Sequence, residues 1–177
     1  MHIPPVNIGL LERLGAPLFR PNLKIAHEGA RMTEEVTIAY PTTIGKSRYI
    51  RAWVYNSFGF PAHSCQVFVD RVSHYSNLVE RERSPLHWTD VDDCYLWPEM
   101  RKGYENGHYI DICQADSVLG RLQIISQKAK KGYHLFSDAG LYKIELTAEA
   151  TKPCRFGSCT LMVDFDPAHW ENLKVTI

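Results

Sequence analysis

Arg48-Tyr49-Ile50-Arg51-Ala52-Trp53-Val54-Tyr55-Asn56 decides the fold class, because its side chains change character at every step. Successive residues of an extended strand point to opposite faces, so Ile50, Ala52 and Val54 share one side while Tyr49, Arg51, Trp53 and Tyr55 share the other. The small aliphatic side is the expected core side. The opposite side sets one guanidinium among three aromatic rings. Asn56-Ser57-Phe58-Gly59-Phe60-Pro61 has the composition of a turn that closes the strand, and Ser64 to Val72 is its expected hairpin partner.

The same period of two recurs on both sides of this stretch. Further strands are expected at Leu23 to Ala26, Val36 to Ala39, Tyr109 to Cys113 and Leu122 to Ser126. The clearest pair comes late: Tyr142, Ile144, Leu146 and Ala148 alternate with Leu141, Lys143, Glu145 and Thr147. A turn over Thr151 to Ser158 then returns the chain into Cys159 to Phe165. About eight short strands with no helices between them predict an all-β, antiparallel sandwich, with a small closed β-barrel as the alternative.

Residues 1–22 stand apart as an N-terminal arm or short helix, since Asn7 to Gly15 carries a cap candidate, spaced leucines and a terminating glycine before Pro17 and Pro21. Residues 23–177 then form the β-sandwich domain. Within it, residues 79–107 read as a long irregular excursion holding Trp88, Tyr95, Trp97 and Tyr104.

Composition sets outer limits on function. The chain has 177 residues, 45% hydrophobic and 23% charged, with 20 basic residues against 20 acidic ones. That content supports a core and excludes disorder, collagen and coiled coil, and no run approaches the roughly 20 apolar residues of a spanning helix. Balanced charge argues against holding duplex nucleic acid through the overall field. Met1 to Gly15 carries Pro4 and Pro5 and lacks the pattern of a signal peptide, so a cytoplasmic location is expected. The five cysteines, odd in number and irregularly spaced, fit reduced intracellular thiols better than a disulfide framework. Cys154 and Cys159 resemble half of a zinc site or a cross-hairpin bridge, and Cys94 and Cys113 could complete a four-sulfur site only if the fold brought them there.

No phosphate loop, GxSxG elbow, HExxH helix or dinucleotide fingerprint is present. Asp90, Asp92 and Asp93 read as a solvated acidic turn rather than a calcium loop. The eight histidines are scattered, and Cys65 lacks an orienting group or oxyanion loop that would make it a nucleophile. The expectation is therefore a protein that is not an enzyme, with no catalytic residue, no metal and no cofactor. Ligand contact falls to Tyr49, Arg51, Trp53 and Tyr55, a row able to stack a base and pair with a phosphate, together with His87 and Trp88 in the excursion. The competing reading has the excursion or the arm covering that row, with Arg51 lying flat on a tryptophan.

The stretch from Arg48 to Gly59, continuing through Pro61-Ala62-His63-Ser64-Cys65-Gln66-Val67, resembles an adhesion-type immunoglobulin-like module of prokaryotic proteins. There, a strand ending in Val-x-Asn is followed by a glycine turn and an Ala-x-x-Cys segment. Gly140-Leu141-Tyr142 is similar to the late Gly-x-Tyr strand of such domains. The resemblance implies an immunoglobulin-like sandwich acting as a non-catalytic interaction module, with a protein partner or self-association. A second resemblance rests on Arg20-Pro21-Asn22-Leu23-Lys24-Ile25, which looks like the junction between a last transmembrane helix and a cytosolic β domain. It implies a cyclic-oligonucleotide-sensing domain of a two-transmembrane antiphage defence effector, tethered through an N-terminal membrane anchor absent from this chain.

Overall fold

A computed structural model describes residues 20–28, 33–39, 43–75, 77–80, 83–89, 95–126, 135–151 and 154–177. The expected helix over Asn7 to Gly15 lies outside the described residues, as do Asp90, Asp92, Asp93 and Cys94. In chain order the strands are β1 (Leu23–Ala26), β2 (Thr33–Ala39), β3 (Ile44–Asn56), β4 (Ala62–His74), β5 (Asn77–Glu80), β6 (Ser84–Pro85) and β7 (His87–Trp88). They continue as β8 (Trp97–Met100), β9 (Gly103–Asp116), β10 (Arg121–Ile124), β11 (Leu135–Phe136), β12 (Gly140–Glu149), β13 (Gly157–Phe165) and β14 (Lys174–Thr176). A short 3-10 helix, Pro167–Asn172, links the last two, its first turn held by the Asp166 carboxylate accepting from the Ala168 N–H.

The strands make two antiparallel sheets. The first runs β1-β3-β9-β10-β11, with β2 also on β3 and β7 also on β9. The second runs β14-β13-β12-β4-β5, with β6 and β8 also on β4. The orders β1-β3-β9-β7 and β13-β12-β4 follow the A-B-E-D and G-F-C arrangement of an immunoglobulin-like sandwich. The closed barrel is excluded, since among the described residues β11 and β14 each pair on one side only and no strand joins the sheets into a ring.

The core lies between the sheets and is built by alternation. Ile50, Ala52 and Val54 of β3, Ile110 and Ile112 of β9, Ile144 and Leu146 of β12, and Leu161 and Val163 of β13 are all buried. Each large aliphatic side chain so placed stabilises the fold by roughly 1.5–3 kcal/mol relative to exposure. Tyr142 is buried at the start of β12, and its hydroxyl donates to the Asp138 carbonyl at 2.8 Å. The bond ties the entry of β12 to the chain that precedes it.

One sequence expectation is corrected. Ser64 to Val72 belongs to β4, but β4 does not pair with β3; the chain crosses from one sheet to the other at residues 57–61. The cause is Asn56, whose buried carboxamide accepts from the Asn22 N–H at 3.0 Å and the Phe58 N–H at 3.4 Å, and donates to the Phe60 carbonyl at 2.8 Å. These bonds fold the turn out of the plane of the sheet. Gly59 supplies the left-handed residue it needs, with φ 87°. Among the described residues of the stretch read as an irregular excursion are the end of β5, then β6, β7 and β8, which attach to both sheets, and the start of β9. Strands of two to four residues are too short to display a period.

Candidate functional site

The predicted row stands on β3, in the middle of the first sheet. Tyr49, Arg51, Trp53 and Tyr55 are half-buried on the outer face, opposite the core residues Ile50, Ala52 and Val54. On one side β9 lies antiparallel to β3, so Trp53 faces Tyr109, Arg51 faces Asp111 and Tyr49 faces Gln114, with a bulge between Ile50 and Arg51. On the other side β1 sets Lys24 beside Tyr55, and β2 sets Glu34 beside Tyr49.

Trp53 lies against the backbone of β9 at Gly107. A Cβ there would sit 2.6 Å from the indole and 2.6 Å from the Val54 carbonyl oxygen, so only glycine admits the ring so close. The Trp53 indole N–H donates to the Tyr104 carbonyl at 2.8 Å. Tyr104 then spans two members of the row, its ring 5.8 Å from Trp53 and 5.0 Å from Tyr55, while Tyr109 meets Trp53 edge-on at 4.5 Å. The Tyr104 hydroxyl donates to Glu28 at 2.6 Å, and this bond to a carboxylate pushes the phenol up to about 12. These contacts make an aromatic ledge of Trp53, Tyr55, Tyr104 and Tyr109, in which Tyr104 is 45% and Tyr109 40% exposed.

Beside the ledge is a charged knot. Arg51 donates from Nε to Asp111 at 2.8 Å and from a terminal nitrogen to Glu34, and the Thr89 hydroxyl donates to the same Asp111 oxygen at 2.8 Å. The guanidinium carbon lies 5.9 Å from the centre of the Tyr49 ring, at the limit of a cation–π contact, and does not lie flat on a tryptophan. Burial, reinforced by the charge of Asp111, raises the Tyr49 phenol above its usual range.

The excursion residues part company. His87 pairs with Asp111 on β9, which places it on the same face as Arg51, and its ring meets Tyr95 edge-on at 5.4 Å. Trp88, one step along, takes the opposite face and is fully buried, with its ring 5.7 Å from Trp97. Its selection as a ligand contact is corrected: it fills the core. Its indole N–H has no hydrogen-bond partner among the described residues.

Tyr109, Glu34, Thr89 and Asp111 were missed by sequence reasoning, whereas Tyr104, named among the aromatics of residues 79–107, lies against Trp53 and Tyr55 as the competing reading of a covered row has it. Tyr109 and Asp111 fell in a predicted strand, yet nothing local fixes which β3 residues they face. The thiols among the described residues offer little reactivity: Cys65 and Cys113 are buried, and burial pushes the Cys65 thiol up to about 12. Cys154 and Cys159 are half-buried free thiols, each raised by burial. Among the described residues no three His, Cys, Asp or Glu side chains gather as a metal site, and no helix is long and apolar enough to cross a membrane. Comparison with protein-family models, with curated proteins and with solved structures finds no match to this chain.

Proposed function

We propose that the chain is a non-catalytic binding module that holds a protein partner on the outer face of its first sheet. The observation that carries this reading is the ledge itself: Tyr104 and Tyr109 are exposed yet fixed in place by Trp53, Tyr55 and Glu28. Rigid, partly exposed aromatic side chains give large contact area at small entropic cost, and tyrosine and tryptophan dominate the energetic centres of protein interfaces. The neighbouring charges of Arg51, Asp111 and Glu34 are paired among themselves. A partner therefore meets a surface whose charges need no rearrangement.

The test combines sedimentation over a range of concentrations, which reads self-association, with photo-crosslinking from a benzophenone amino acid placed at Val118, away from the ledge, or at Tyr109. Support is association, with a second copy or with one crosslinked species, that excess wild-type chain competes away and that Tyr104→Ala with Tyr109→Ala removes while the variant still folds and melts cooperatively. A monomer without a competed crosslink at Tyr109 contradicts the reading.

Sensing of a cyclic oligonucleotide by the same row is the second reading, favoured by a guanidinium beside aromatic rings. A phosphate there competes with Asp111 and Glu34 for Arg51, which weakens it relative to the first. A rise in melting temperature with cyclic di- or trinucleotides, lost in Arg51→Ala, would establish it in place of the protein partner.

A further inference from the structure

One end of the sandwich gathers connections that lie far apart in sequence. The chain enters β1 through residues 20–22, crosses between the sheets at residues 57–61, turns at residues 101–102 between β8 and β9, and enters β13 through residues 154–156. Backbone bonds stitch these segments together. The Asn22 N–H donates to the Phe58 carbonyl at 3.2 Å, the Ser57 N–H to the Asn22 carbonyl at 2.9 Å, and the Arg155 N–H to the Pro21 carbonyl at 2.8 Å. Lys102 bridges to Asn56 and sets its ammonium 5.6 Å from the centre of the Phe58 ring. Three phenylalanines stand exposed on this end: Phe58 at 43%, Phe60 at 51% and Phe156 at 56%.

The charges around these rings select what they meet. Exposed Arg20, Arg101, Lys102 and Arg155 lie in the same connections, against the carboxylates of Glu99 and Glu105 beside them. Glu99 accepts from Arg101 at 3.1 Å, whereas among the described residues no carboxylate holds Arg20, Lys102 or Arg155. On the sheets, by contrast, Arg51, Lys46, Arg71 and Arg83 are each paired with a carboxylate. Basic and acidic residues are equal in number, 20 of each, so this end is positive by placement and not by composition. Phenylalanine has no polar tip, unlike the tyrosines and tryptophan of the ledge, so its ring gains only by leaving water. Apolar rings set among cations match the layering of an anionic lipid surface, with phosphates at the level of the cations and the acyl boundary beyond for the rings. A protein interface rests on one continuous packed patch, while rings on separate turns suit a fluid surface that closes around each.

We propose that this end docks onto an anionic lipid surface, with Phe58, Phe60 and Phe156 entering the interface and Arg20, Lys102 and Arg155 meeting the lipid phosphates. None of these six belongs to the ledge or to the charged knot beside it, so this proposal and the protein-partner reading fail separately. The test is flotation of the intact chain with vesicles of phosphatidylcholine mixed with phosphatidylglycerol, against vesicles of phosphatidylcholine alone. Binding is expected to the mixed vesicles only, and to weaken as salt is raised. Phe60→Ser with Phe156→Ser, and separately Arg20→Glu with Arg155→Glu, should each weaken it about tenfold or more while the variants still fold and melt cooperatively. Tyr104→Ala with Tyr109→Ala should float as the wild type does. No binding to the mixed vesicles, binding undiminished in both paired variants, or capture of a single-stranded thymidine oligonucleotide in place of the vesicles overturns the proposal.

Discussion

At the scale of single residues, the ledge depends on one missing methyl group. Gly107 lets Trp53 rest on β9, and the three atoms nearest a methyl added there, two in the indole and the Val54 carbonyl oxygen, would all lie at 2.6 Å. Gly107→Ala must push the ring or the strand aside, and overpacking of this kind costs roughly 1–3 kcal/mol. Urea denaturation should show that loss together with a shift in tryptophan emission; an unchanged midpoint would mean that Trp53 does not lie on β9 as described. His27 carries a second residue-scale consequence. Both its ring nitrogens are shielded from solvent without a hydrogen-bond partner among the described residues, and burial lowers its pKa from 6.5. Above 6.5 both folded and unfolded chains hold it neutral. As pH falls below 6.5 the unfolded chain takes up the proton first, so stability is lost progressively until the lowered folded pKa is reached. His108, also lowered by burial, adds in the same direction. His169 opposes them: its bond to Asp166 raises its pKa, so its contribution is present in acid and lost as pH rises through the raised value. The urea midpoint should therefore fall between about pH 7.5 and pH 5.5, and His27→Leu should flatten part of that fall. An identical pH profile in the variant would contradict the assignment to His27.

At the scale of elements, what could be read from the chain was what repeats within one strand. Ile50, Ala52 and Val54 against Tyr49, Arg51, Trp53 and Tyr55 is a period of two over a long strand, and the structure places these sets on opposite faces. The hairpin of β12 with β13 was legible for the same reason, and its register aligns Tyr142 with Val163 and Leu146 with Cys159. The partner of β3 was not legible, because a five-residue connection suits a hairpin as well as a crossing between sheets. Asn56 decides between them by bonds to backbone groups far away in sequence, Asn22 among them. The site was half legible on the same grounds: the β3 row was visible, while the Tyr104, Tyr109 and Asp111 side of it depends on a cross-strand register that no local pattern encodes. Asn56→Ala would strip the buried turn of its acceptor and donor, leaving backbone groups unpaired, at a cost of about 2–4 kcal/mol. Thermal or urea unfolding would measure it, and a loss below about 0.5 kcal/mol would mean that the carboxamide does not hold the crossing.

At the scale of the whole molecule, the two sheets differ in what they offer outward. The outer face of the first combines a rigid aromatic ledge with charges already paired, while the interior between the sheets is filled by aliphatic side chains together with Trp88, Tyr142 and Phe165. The ledge draws on the start of β9, which leaves Gly103 with φ 124°, carries Tyr104 to the ledge, and then enters the core. The most direct test of the central claim compares the wild-type chain with the Tyr104→Ala, Tyr109→Ala double variant in melting and in association. The account predicts a variant that still folds and melts cooperatively, at a temperature lowered by the lost ring contacts, with partner or self-association abolished; a folded variant that associates as the wild type does would contradict it.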